Sequence, residues 1–129
     1  MRRRFALLAT ALAALNAFFW LAQGGFALPR GVIDRFFGPR MVRAEVVVEG
    51  GGVARDYRID RGRIASVAGS SITLDERDGT TVTIDVAPGA RIVGRPRLRR
   101  LAQLRPGLRV LVVRQANAPA TEIQVEGGG

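Results

Sequence analysis

The chain has 129 residues, enough for one domain plus a targeting segment, and it contains neither cysteine nor histidine. Disulfides, thiolate nucleophiles, Cys/His zinc sites and imidazole bases are therefore excluded. All 20 basic residues are arginine, and the net charge of +9 is uneven: residues 1–40 carry six Arg against Asp34, residues 41–129 fourteen Arg against ten acids. A chain so rich in Ala, Gly, Val and Arg also reflects GC-rich coding, so the high pI is a weak pointer to nucleic acid.

Arg2, Arg3 and Arg4 precede an uncharged apolar run from Phe5 to Ala22. Arginines held on the inner side of a membrane, followed by such a run, specify export with the N-terminus inside. The run suits a spanning helix ending in Phe18, Phe19 and Trp20 at the interface, or a signal peptide cleaved after Ala27, where Gly25 and Ala27 are small. Residues 1–27 are thus expected to be a signal peptide or membrane anchor helix. Residues 28–57 are expected to be a juxtamembrane linker. In that linker Pro29, Gly31, Gly38 and Pro39 break helices, while Val32, Ile33, Phe36 and Phe37 beside Arg30, Arg35 and Arg40 suit either an interfacial patch or the edge of the domain.

From Ala44 the hydrophobic period becomes two, the mark of strands. Ala44–Glu49 reads as a strand interrupted by Gly50-Gly51-Gly52, and Arg58–Val67 as the next. After Gly69-Ser70, Ile72–Glu76 pairs through Arg77-Asp78-Gly79 with Thr80–Val86, where Val82, Ile84 and Val86 alternate with Thr81, Thr83 and Asp85. Pro88-Gly89 is expected to turn the chain before a short extended piece, Ala90–Val93. Leu98, Leu101 and Leu104 recur every third residue, as one or two helical turns over a core require. Leu108–Arg114 is an apolar, central strand, and Ala120–Glu126 closes the domain.

Three strands, a helical turn and two strands give the expected fold: an all-β, five- or six-stranded OB-like Greek-key barrel over residues 58–126 with one short helical turn, preceded by the N-terminal hydrophobic helix. Its core is expected to comprise Ile59, Ile64, Val67, Ile72, Leu74, Val82, Ile84, Val86, Ile92, Leu101, Leu104, Val110, Val112, Ile123 and Val125.

The segment Gly62–Leu74, its continuation Asp78–Ile84, the stretch Leu104-Arg105-Pro106-Gly107-Leu108-Arg109-Val110 and the closing Ala120–Ile123 together resemble a bacterial group, the domain of unknown function 5666 family. The resemblance implies a small OB-like barrel, often exported or membrane-attached, with no established activity and no catalytic residues to carry over. Arg105-Pro106 departs from the group's pattern, which has an acidic or polar residue before the glycine.

Ser66, Ser70 and Ser71 have no His or Lys to activate them and read as turn hydroxyls. Asp75, Glu76 and Asp78 cluster at the hairpin, expected to face solvent, in a spacing that matches no EF-hand loop. No catalytic, cofactor-binding or metal site is expected. The one chemical constellation is Arg91, Arg95, Arg97, Arg99, Arg100 and Arg105, within fifteen residues free of acid. Guanidinium forks bind phosphate and carboxylate bidentately. After residue 40 the only aromatic is Tyr57, too few for single-strand stacking, so nucleic acid is the less suitable partner. The expectation is a non-enzymatic envelope protein, on the outer membrane face or secreted, whose arginines contact anionic lipid, wall polymer or a partner protein or simply form a solvated face. The alternative is an OB-type binder of oligosaccharide or oligonucleotide.

Overall fold

A computed structural model of the protein describes residues 35–127, without the side chains at 48 and 50. The chain divides into two compact units, Met1–Phe36 and Phe37–Gly129, and all the strands below belong to the second. The expected leader and most of the juxtamembrane stretch lie outside the described residues. Phe36 and Phe37 are both exposed.

The unit is all-β: β1 (Arg43–Gly50), β2 (Val53–Ala68), β3 (Ser71–Glu76), β4 (Thr81–Val93), β5 (Arg109–Gln115) and β6 (Ala120–Val125), with one 3-10 turn, Leu101–Gln103, between β4 and β5. The glycine triad does not merely interrupt a strand. Gly50 pairs with Val53 around Gly51 and Gly52, whose φ values of +62° and +78° make the tight connection that joins β1 to β2. Position 58, the expected start of the domain, falls inside β2. The sheet begins at Arg43, within the stretch read as linker. Arg55, Asp56, Arg58, Asp60 and Arg61 give that half of β2 a charged rather than an apolar rhythm, and the strand read from Arg58 begins at Val53.

β3 and β4 follow their alternation: Ile72, Leu74, Ile84 and Val86 are buried, while Thr81, Thr83 and Asp85 are exposed. The turn expected at Pro88-Gly89 is absent, and β4 continues to Val93. Proline lacks a ladder donor, and it sits where the pairing of β4 with β6 shifts register between Val86 and Arg91. The leucine triplet yields one 3-10 turn, Leu101–Gln103, where one short helical turn is expected.

The strand order is β1-β2-β3-β4-β6-β5, and β5 also pairs with β2, so the pairings β2-β3-β4-β6-β5 close on themselves. β4 and β6 run parallel and the other neighbours antiparallel. Within this cycle Ile64, Ile72, Leu74, Ile84, Val86, Leu104, Val110, Val112, Ala120, Ile123 and Val125 form one buried cluster, against which Val67, Val82, Ile92, Leu98, Leu101 and Leu108 are half-buried. Ile59 is buried outside that cluster: it pairs with Val113, on the opposite face of β2 and β5.

β1 and β3 both lie on the side of β2 away from β5. Asp60 pairs with Arg43 and Val112 on its two sides, and Gly62 with Glu76 and Val110. The two strands therefore meet end to end along β2, and residues 53–56 of β2 pair with β1 alone.

Candidate functional site

The arginine segment spans the connection from β4 to β5. Gly94, at φ +102°, turns the chain out of β4, and a β-carbon there would lie 2.3 Å from the Val125 carbonyl oxygen. Below the segment Leu104 is fully buried and Leu98 and Leu101 half-buried against the core. Leucines facing inward at every third position oblige the arginines between them to face outward.

Arg91, Arg97, Arg99, Arg100 and Arg105 are exposed, and Arg95 is half-buried. The backbone beneath them is fixed. Gln103 Oε1 accepts hydrogen bonds from the amides of Arg99 (2.9 Å) and Arg100 (3.0 Å). Arg105 Nη1 donates to the carbonyls of Ala102 (2.8 Å) and Leu104 (3.1 Å), satisfying groups at the end of the 3-10 turn. Arg99 Nε donates to the Pro96 carbonyl at 3.2 Å. Among the described residues, none of Arg95, Arg97, Arg99, Arg100 and Arg105 forms an ion pair with a carboxylate. Arg91 stands apart, on β4 opposite Glu122 of β6, with interactions of its own. The structure thus brings five of the six sequence-selected arginines onto one loop and leaves the sixth on a strand.

A second polar assembly was not anticipated. Glu76 is buried rather than facing solvent. It closes β3 opposite Gly62, and its Oε2 accepts from Arg43 Nε at 3.1 Å and from Arg43 Nη2, which also donates to Asp78 at 2.7 Å. Asp60, also buried, lies two residues along β2 from Gly62 on the same face, and Arg114 Nη2 approaches its Oδ2 at 3.4 Å. Burial pushes the Glu76 carboxyl above the usual carboxylate range. Arg43 opposes that shift and Asp60 adds to it. The amide of Thr80, donating to Asp78 at 3.0 Å, leads in holding Asp78 below its usual range. The bond to Glu76 raises the Arg43 guanidinium. Period-two reading could have found Glu76: it shares its parity with Ile72 and Leu74, and that parity faces the core.

The outward face of β3 and β4 carries hydroxyls and acids. Thr73 and Thr83 share a hydrogen bond at 3.0 Å, and Thr81 donates to Asp75 at 2.9 Å. Tyr57 is half-buried on β2, away from that face. Among the described residues no three carboxylates are grouped as a metal site, and no helix is long and apolar enough to cross a membrane.

Fold and sites define the chain from Phe37 onward as an all-β protein with an exposed arginine loop. Comparison with protein-family models, with curated proteins and with solved structures gave no match.

Proposed function

We propose that the protein is a non-enzymatic interaction module that binds multivalent anionic material of the cell envelope through the loop bearing Arg95, Arg97, Arg99, Arg100 and Arg105. In this reading the cyclic strand pairing is an OB-like barrel of the kind the domain of unknown function 5666 resemblance implies. The N-terminal segment directs it across the membrane, as an anchor or as a leader removed near Ala27. The observation that carries the reading is the set of guanidinium groups on a braced backbone without acidic partners among the described residues. A cation already paired with a carboxylate of its own chain has little left for a ligand, whereas these keep their charge uncompensated, with only Arg99 and Arg105 spending part of their donors on backbone carbonyls. Phosphate-bearing lipid or wall polymer suits them best, since both present closely spaced anions that several arginines engage together.

The alternative of oligosaccharide or oligonucleotide on the β3–β4 face gains no support. Asp75 and Asp85 would repel phosphate, and no aromatic platform stands there for a base or sugar ring. The test uses the full chain in neutral detergent micelles with soluble polyphosphate as ligand. Changing Arg97, Arg99 and Arg100 together to Glu alters six charge units on exposed groups. At roughly 0.2–0.5 kcal/mol each this weakens binding by about ten- to a hundredfold, and wild-type binding falls with added salt. Equal, salt-insensitive binding by both proteins would discard the reading.

A further inference from the structure

We propose that the free edge of β1 is a homodimer surface, on which the β1 strands of two copies pair antiparallel about a two-fold axis through Val46. β1 is eight residues long and among the described residues pairs only with β2. Strand edges in monomers are usually blunted by charged side chains, proline, a bulge or a cover. β1 carries charge at Arg43, Glu45 and Glu49, but it contains no proline, pairs with β2 without a register shift, and carries Val46-Val47-Val48 at its centre. Val47 is 66% exposed, and Val53, beside the hairpin tip, 57%.

The backbone fixes which residues can pair. The two residues flanking a two-residue hairpin turn form a hydrogen-bonded pair, and bonded and non-bonded pairs alternate from there. Gly50, Val48, Val46 and Ala44 therefore spend their amides and carbonyls on β2. The Val42 carbonyl, next in that series, does accept from the Arg61 amide at 2.8 Å. Arg43, Glu45, Val47 and Glu49 direct theirs outward. A two-fold antiparallel pairing that joins outward groups to outward groups and overlaps most of β1 places its axis on Glu45, Val46 or Val47.

Charge selects among the three. An axis at Glu45 sets Glu45 against its own copy, and an axis at Val47 sets Glu45 against Glu49 twice. Like charges directly opposite are destabilising. An axis at Val46 sets Arg43 against Glu49 twice and Glu45 against Val47, with no like pair. Arg43 can serve there: its bonds to Glu76 and Asp78 use Nε and Nη2, and its side chain is 49% exposed. The same axis juxtaposes the two Val46 residues as a non-bonded pair, the closer of the two kinds.

Since the chain has no cysteine, this register can be tested by single substitutions on the full-length protein in mild detergent. Light scattering of wild type is expected to give twice the 13.9 kDa of one chain. Val46→Cys is expected to form a disulfide-linked dimer on mild oxidation, because a non-bonded pair matches disulfide spacing. Val47→Cys is not, because its two copies stand two positions out of register. Val47→Pro removes only an outward amide and is expected to return the one-chain mass with an unchanged far-ultraviolet spectrum. A one-chain mass for wild type at every concentration, whether the edge then stays open or takes another protein's strand, overturns the proposal. So does a Val47→Pro dimer, or crosslinking through Val47→Cys as fast as through Val46→Cys.

Discussion

Gly94→Ala separates two physical requirements that coincide where the arginine loop leaves the sheet. At φ +102° an L-residue is strained, by about 1–3 kcal/mol. The new methyl would also meet the Val125 carbonyl oxygen at 2.3 Å, a contact that must be relieved by moving β6 backbone, and overpacking of this kind typically costs about 1–3 kcal/mol. Together they predict a loss of about 2–6 kcal/mol, a large share of the roughly 5–15 kcal/mol that holds a domain folded. Three other glycines divide the effect. Gly107 has a positive φ but open space, Gly62 has a contact of 2.7 Å to the Asp75 carbonyl oxygen without positive φ, and Gly89 has neither. Urea unfolding followed by circular dichroism should rank the alanine variants Gly94 worst, Gly62 and Gly107 between, and Gly89 near wild type. If Gly94→Ala unfolds within about 0.5 kcal/mol of Gly107→Ala, the close approach of β4 and β6 is not the constraint argued here.

Leu104→Ala, at a site with 1% exposure beneath the arginine loop, should lower stability by about 2–5 kcal/mol in the same assay, whereas a loss under about 1 kcal/mol would mean the leucine does not fill the core. Glu76 gives a pH signature. Its folded pKa lies above the unfolded value of 4.5, so the native state holds the proton more tightly and the contribution is fully present below pH 4.5. Wild type should therefore lose stability relative to Glu76→Gln as pH rises from 4.5 through the folded pKa, and a difference that stays flat or grows in wild type's favour would contradict the burial argument. Changing Arg97, Arg99 and Arg100 to Glu should leave the unfolding midpoint within about 0.5 kcal/mol of wild type, as for surface changes generally, so that lost binding cannot be ascribed to lost fold.

Where one face of a strand is buried and the other wet, the fold was legible. β3 and β4 follow from Ile72, Leu74, Val82, Ile84 and Val86 alternating with threonine and aspartate, and β5 from its apolar run. Legibility failed where charge sits on a core-facing parity. Glu76 gains its bonds from Arg43 only once β1 and β3 abut along β2, Asp60 meets Arg114 only through the pairing of β2 with β5, and the strand read from Arg58 begins at Val53. Pro88-Gly89 misled for a related reason: a turn signal is a statement about missing donors, and a register shift between parallel strands accommodates the same lack. The arginine cluster was visible because it is local. What the structure adds is the leucine floor and the Gln103 and Arg105 bonds that brace it.

The most direct test of the arginine loop as the contact surface is a backbone amide titration by NMR, adding polyphosphate to the isotopically labelled chain in neutral micelles. The reading predicts shifts concentrated at residues 95–105 that vanish in high salt, with Thr73, Thr81 and Thr83 unmoved. Shifts on the β3–β4 face instead, or none anywhere at saturating polyphosphate, would contradict it.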